Sequence, residues 1–365
     1  MSALRKPYWS DDQAALYQGD AREVLTEMDD GSVNCIVTSP PYWGLRHYCE
    51  GQYGQESTPE EYVENLRATF AEARRVLADD GTCWLNLGDC YAANSDGWAR
   101  GTAYNARQPE VRPKARLAVP PKNALGMPWR VAFALQQDGW IVRNAIVWHK
   151  PNAMPQSVRD RLSNRYELIF LLVKQRTYWF DLDPIRQTYT GDRSLTRRAR
   201  AGGIKENSIK TPWPPGRYGT TGEDCVGERH GAFICPTGQR HTTGHPGGKN
   251  PGDVWHISTR PLRAAHFAAF PIDIPLRAIA AGCRPGGIVL DPFTGSGTVG
   301  IAARQLGRKF VGIELKPDYC QLARARLLPG QPPPRRAVEP VNSSPTSCHG
   351  DECPTLGGGS KEDTP

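Results

Sequence analysis

Gly287-Ile288-Val289-Leu290-Asp291-Pro292-Phe293-Thr294-Gly295-Ser296-Gly297-Thr298 runs from an aliphatic stretch through a carboxylate and two glycines into a helical pattern. The stretch ending at Asp291 has the length and β-branched content of a buried strand. Glycines at 295 and 297 allow a tight turn and a close approach of backbone to a ligand. A helix is predicted from Thr298 to Leu306, stopped by Gly307. Phe310-Val311-Gly312-Ile313-Glu314 reads as the next strand, and Pro317 opens the last helix. Such a strand, glycine turn, helix and strand make up half of a doubly wound sheet.

The N-terminal half carries the same alternation. Ser32–Val37 is a short strand, and Thr58-Pro59-Glu60-Glu61 is a helix start with a Thr cap, a Pro in the first turn and a capping-box Glu. Tyr62, Leu66, Phe70, Ala73 and Leu77 then repeat at helical spacing, and Gly81 is expected to stop them. Strands follow at 82–87, 141–148 and 167–173, with helices at 128–137 and 272–281. The expected fold is α/β, a doubly wound and mostly parallel sheet.

With 365 residues, 39% hydrophobic and 23% charged, the chain suits one large globular core with an inserted module. Its longest aliphatic run, Leu168–Val173, is too short to span a bilayer, which takes about 20 residues. The N-terminus lacks the apolar region of a secretory signal. Ten scattered cysteines point to free thiols, so a cytoplasmic location is expected. Net charge is +7, and residues 151–265 hold 18 Lys+Arg against 10 Asp+Glu while the rest is almost balanced. A basic third on a neutral body points to a polyanion. Within it, residues 187–261 contain 20 Gly or Pro, the composition of a loop-rich insertion. Residues after Leu328 read as a disordered tail.

Asp291 at a strand end would repel phosphate but suits a cationic group such as the amino group of methionine. Glu314, at the end of the next strand, is placed to accept hydrogen bonds from ribose hydroxyls. Carboxylate, Gly-x-Gly and second carboxylate together fit S-adenosylmethionine better than NAD. Val37-Thr38-Ser39-Pro40-Pro41-Tyr42-Trp43 follows the first strand, and its two prolines hold an extended, rigid loop. The Ser39 hydroxyl and the Pro40 carbonyl could both accept hydrogen bonds from one exocyclic NH2, with Tyr42 stacked on the base that carries it.

Thr38–Trp43 resembles the catalytic loop of amino-group DNA methyltransferases, and Asp291–Thr298 resembles their cofactor loop. The order, catalytic loop first and cofactor loop last with a basic insertion between, is similar to the permuted β class. Trp148-His149-Lys150-Pro151-Asn152, Arg165–Phe170 and His266–Pro271 are similar to the family as well. The resemblance implies a Rossmann-like fold and methyl transfer from S-adenosylmethionine to the amino group of a flipped base in double-stranded DNA. No metal is called for. The implied catalytic residues are Ser39, Pro40, Pro41 and Tyr42. Those implied for the cofactor are Asp291, Phe293, Gly295, Ser296, Gly297, Thr298 and Glu314, with Phe270 enclosing its methionine end. Asp20 is either a further cofactor residue or the cap of a helix over Arg22–Met28. Ser39 stands where adenine-N6 enzymes more often carry Asp or Asn, which favours cytosine N4 over adenine N6. An RNA or protein-amide methyltransferase and a non-catalytic DNA-binding homologue are the other readings.

The expected organisation is a catalytic half at 1–185, a target-recognition insertion at 186–263, a cofactor half at 264–330 and a tail at 331–365. A restriction endonuclease is a possible cognate partner. Arg193, Arg197, Arg198, Arg200, Lys205 and Lys210 are the expected phosphate contacts. Cys225, His230, Cys235, His241 and His245, with Cys348, His349 and Cys353, lack a Cys-x2-Cys pair; only the His-x3-His spacing resembles a zinc pattern, so the sets read as unliganded, with structural zinc the alternative.

Neutralising Arg197, Arg198 and Arg200 together is therefore expected to weaken binding to every duplex. The log–log salt slope should fall by about one unit for each phosphate that an arginine no longer neutralises. Fluorescence-anisotropy titrations across a salt series check this, and an unchanged slope would make these arginines ordinary surface charges.

Overall fold

The computed structural model describes residues 4–44, 51–92, 119–188, 247–260 and 270–328. All lie in the compact unit Met1–Leu328; Pro329–Pro365 forms a separate unit, outside the described residues together with the expected tail.

Among the described residues nine strands form one sheet: β1 (Trp9–Ser10), β2 (Ala14–Gln18), β3 (Val33–Thr38), β4 (Leu77–Leu87), β5 (Ile141–His149), β6 (Tyr166–Val173), β7 (Val254–His256), β8 (Ile288–Asp291) and β9 (Lys309–Glu314). Their spatial order is β1-β2-β9-β8-β3-β4-β6-β5-β7. The pairs from β2 through β9, β8 and β3 to β4 are all parallel, as is β5 with β7. Strand β6 runs antiparallel to both neighbours, and β1 antiparallel to β2. The mixed, mostly parallel α/β sheet matches the expected class.

Helices α1 (Ala21–Glu27), α2 (Pro59–Val76) and α3 (Met127–Gln137) cover one face, with Leu25, Leu66, Phe70, Val131 and Leu135 in its core. Helices α4 (Asp273–Gly282) and α5 (Thr298–Gln305) cover the other with Ile279, Val299 and Ala302, and α6 (Pro317–Leu327) adds Leu327 there. Strand β6 shows why its aliphatic run has no polar alternation. Leu168, Phe170 and Leu172 enter the first core while Ile169, Leu171 and Val173 enter the second.

The structure corrects the sequence reading in three places. Helix α2 ends at Val76, and Leu77 takes an extended conformation as its C-cap and first strand residue. Gly81 does not stop the helix. It sits in β4, where a Cβ would come within 2.5 Å of the Leu77 side chain and 2.9 Å of the Asn34 carbonyl. Leu77 is fully buried, so a strand position fits the apolar repeat as well as another helical turn would. In the predicted capping box, Thr58 does accept from the Glu61 amide at 3.1 Å, but Glu61 reaches back to the amide of Ser57. Finally, the stretch read as a loop-rich insertion over 187–261 ends in β7, which pairs with the edge strand β5. Gln187 and Lys249 exchange two backbone hydrogen bonds of 2.9 and 2.8 Å, closing the base of the segment between them. The insertion expected at 186–263 thus includes β7 (Val254–His256), a strand of the sheet.

The carboxyl ends of β2, β9, β8, β3 and β4 share one edge of the sheet. Chain connections diverge at the β8–β3 pair, since β8 leads through α5 toward β9 while β3 leads through α2 to β4. A crevice at this switch point is the favoured ligand site of open α/β sheets.

Candidate active site

A cleft of about 370 Å³ opens at that edge, lined by residues from Gly19 to Tyr319 that include both sequence motifs. On the β8 side, Asp291 is 2% exposed. Its Oδ1 accepts from the Thr38 hydroxyl at 2.6 Å and from the Phe293 amide at 3.1 Å. Burial pushes the Asp291 carboxyl up to about 7, opposed by those two hydrogen bonds and assisted by the charge of Glu314. Glu314 accepts from the amides of Gly295 and Lys316, both at 2.8 Å, and burial raises its carboxyl too.

Gly295 adopts φ +53 at the cleft wall. Gly297 also has positive φ (+78), but it lies behind the lining. A Cβ there would press to 3.2 Å against Ala323 of α6, so this glycine serves helix packing. Phe270, Phe293, Ser296 and Thr298 line the cleft as the sequence reading expects. Asp20 caps α1, accepting from the Arg22 and Glu23 amides at 2.9 and 3.1 Å, and it also lines the cleft.

On the β3 side, Ser39, Pro40, Pro41 and Tyr42 form the opposite wall. The Pro41 carbonyl accepts from the Tyr62 hydroxyl at 2.9 Å, which ties the loop to α2. The Ser39 hydroxyl donates to the Tyr42 oxygen at 3.3 Å, and the Tyr42 hydroxyl donates to Glu167 at 2.7 Å. Asn86 Nδ2 reaches the Tyr42 oxygen at 2.7 Å, Glu167 at 2.9 Å and Ser39 Oγ at 3.3 Å. Lys150 donates to the other Glu167 oxygen and lies 4.4 Å from the Trp148 ring centre. Burial and the Glu167 charge hold the Tyr42 phenol well above its ordinary range, so it stays a proton donor. A Cβ on Gly88 would come within 2.6 Å of the Tyr42 ring, so this glycine lets the ring seat.

Sequence reasoning gave no role to Asn86, Lys150, Glu167 or Tyr53, which all line the cleft. Two of them carried a usable signal. Asn86 interrupts the apolar run Cys83–Leu87, and Glu167 heads the run Leu168–Val173, so each is a polar group carried into the core by its strand. Tyr53, edge-on to Phe293 at 5.2 Å, carried none. The expected phosphate contacts Arg193, Arg197, Arg198, Arg200, Lys205 and Lys210 fall outside the described residues, as do His266–Ala269 and the Cys/His sets of the insertion and tail. Among the described residues no cluster of three or more metal-ligating side chains occurs, and no helix is long and apolar enough to cross a membrane.

The DNA methylase family profile matches residues 33–325, which takes in both walls of this cleft. The chain belongs to the DNA methylase family. It is 40% identical to the type II methyltransferase M.Cfr9I of Citrobacter freundii over 86% of this chain and 87% of that one. It is 38% identical to M.SmaI of Serratia marcescens, with 85% and 89% covered. In fold it is similar to the cytosine-N4-specific PvuII DNA methyltransferase, with a TM-score of 0.57, 18% identity, and 90% and 91% of the two chains covered. TTHA0409 of Thermus thermophilus, solved with S-adenosyl-L-methionine, aligns with a TM-score of 0.50 and 23% identity over 87% and 97%.

If this methylase holds the donor's ammonium on Asp291, only the ionised carboxylate pairs with it. Affinity for S-adenosylmethionine should then fall as pH drops below about 7, approaching tenfold per unit well below that point. Asp291→Asn should weaken binding by about 10- to 100-fold and flatten the profile. Isothermal calorimetry between pH 5.5 and 8.5 reads both, and a flat profile in the parental protein would remove Asp291 from the donor site.

Proposed function

We propose that the protein moves a methyl group from S-adenosylmethionine to N4 of a cytosine flipped out of double-stranded DNA. The observation that carries this reading is the directed chain Ser39 → Tyr42 → Glu167 facing Asp291 across one cleft. The residues fit the donor. Asp291 is a buried acid that a cationic group would stabilise in its ionised form, Glu314 offers carboxylate oxygens beside Gly295, and Phe293 and Phe270 supply apolar walls. When bound, the donor supplies a sulfonium-activated methyl group.

The chemical difficulty lies in the acceptor, whose amino lone pair is delocalised into the ring. Ser39 Oγ donates its own proton to Tyr42, which leaves a lone pair for one hydrogen of the target NH2. The Pro40 carbonyl takes the second. Two acceptors placed this way favour a tetrahedral nitrogen and localise its pair. Transfer would break the donor's methyl–sulfur bond with its electrons left on sulfur, and the methylated nitrogen would then have to shed a proton. That proton has an exit through Ser39 Oγ and the Tyr42 hydroxyl to the Glu167 carboxylate, each hydroxyl passing on its own hydrogen. Lys150 and Asn86 hold Glu167 and Tyr42 in register. Tyr42, with its hydroxyl fixed, offers only its ring to the base.

Ser39 favours cytosine, because a hydroxyl and a carbonyl suffice for its amino group while the adenine enzymes of the family more often use Asp or Asn. The segment within 186–263 would read the recognition sequence, its arginines and lysines holding phosphates. Residues 1–185 and 264–330 would be the two halves of the core and 331–365 a dispensable tail. A cytoplasmic restriction-modification pairing with a cognate endonuclease accords with the type II naming of the relatives.

Ser39→Ala should slow methyl transfer by roughly a hundred- to a thousandfold while leaving donor and DNA affinity within about twofold. Glu167→Gln should keep the hydrogen bond but lose the proton sink, slowing transfer with little change in KM. Single-turnover kinetics with labelled donor test both. Transfer at the parental rate by Ser39→Ala would refute the role of this loop.

A further inference from the structure

Residues 150–165 join β5 to β6 beside the cleft, where Lys150 at one end, Glu167 of β6 just beyond the other, and Thr259 line its wall. Leu162 in this loop is 90% exposed and Met154 is 78% exposed, the two most exposed of the large hydrophobic side chains among the described residues. Such exposure in a floppy loop would carry no meaning, but this loop is braced throughout. The Lys150 amide donates to the Arg165 carbonyl at 2.8 Å and closes its base. Asn152 exchanges hydrogen bonds of 2.9 and 2.8 Å with the backbone of Thr259. The Gln156 side-chain oxygen accepts from Arg161 at 2.8 Å and from the Asn164 amide at 3.2 Å, on either side of Leu162. Arg161 stacks on Tyr91 at 4.2 Å, Tyr91 donates to Asn164, and Lys122 pairs with Asp160 at 2.6 Å. Leu162 is held in water by its neighbours.

The surrounding charge names the occupant. Arg159, Arg161 and Arg165 flank Leu162, and among the described residues no carboxylate lies within ion-pair distance of them. The loop's one acid, Asp160, is neutralised by Lys122. An exposed apolar side chain with three arginines close to it in sequence complements a polyanion with a stacked apolar interior. We infer that Leu162 is the wedge that enters the DNA stack and fills the gap left when the target base turns into the cleft, with Arg159, Arg161 and Arg165 on the adjoining phosphates. This rests on the reading of the protein as a methyltransferase of flipped bases. Unstacking a base step is unfavourable, and an inserted apolar side chain offsets it while burying its own surface. Leu162 touches the duplex and not the reacting atoms, so it is a positioning residue.

The test first maps the methylated position on plasmid DNA treated with the parental protein. It then compares Leu162→Ala and Leu162→Met on short duplexes holding that site. On the fully paired duplex Leu162→Ala should lower kcat/KM by about 10- to 100-fold, the worth of burying a leucine, and Leu162→Met should restore most of it. On a duplex with the target base mispaired, flipping is already favoured and the loss should shrink to within about threefold. Melting temperature should not move, because the side chain is in solvent. Parental kcat/KM for Leu162→Ala on the paired duplex, or an equal loss on paired and mispaired duplexes, would overturn the assignment while the methyltransferase reading stands. Absence of any DNA methylation by the parental protein would overturn both.

Discussion

The hydrogen bond from the Thr38 hydroxyl to Asp291 is the contact on which the rest of the site depends. It spans 253 positions of sequence at 2.6 Å and is buried. Thr38 ends β3 and Asp291 ends β8, and these strands are parallel neighbours. The loop bearing Ser39 and the turn bearing Gly295 therefore leave the sheet side by side. Because the helical connections diverge at this pair, a crevice opens between them. The same bond partly satisfies the Asp291 carboxylate and opposes the burial that raises it to about 7.

Across the cleft, charge is treated in the opposite way. Glu167 is countered at once by Lys150, with side chains 16% and 19% exposed, and it also holds Tyr42 and Asn86. Burying such a pair gains little stability, since desolvation roughly offsets attraction. What it secures is direction: Tyr42 has one orientation for its proton, and Ser39 in turn has one for its own. In the proposed reaction one wall would supply an acid for the donor's cationic group, and the other would supply acceptors for the target amino group. The antiparallel strand β6 makes this possible, since its amino end brings Glu167 to the edge where the parallel strands finish.

Much of this was legible in the sequence, for local reasons. The strand–glycine–helix unit at 287–314 and the Pro-Pro loop after Thr38 are short-range patterns, and the strands and helices around them fall close to where propensity places them. The failures are where tertiary context decides. Leu77 obeys helical periodicity yet starts a strand, because the sheet offers it equal burial. Residues 254–256 look like loop, and become a strand only because β5 presents an open edge. Gly297 matches the cofactor turn but is needed against Ala323. Glu167 and Asn86 take their meaning from Tyr42, which lies 125 and 44 positions away from them, and no local pattern encodes that.

The most direct measurement of the whole account is the chemical identity of the product. Plasmid DNA incubated with the protein and S-adenosylmethionine carrying a deuterated methyl group, then digested to nucleosides, can be resolved by mass spectrometry. The geometry of Ser39, Pro40 and Asp291 predicts label in N4-methylcytosine. N6-methyladenine as the sole product would keep the mechanism and overturn the choice of base. Label at carbon 5 of cytosine, or none in DNA, would contradict the account of this cleft.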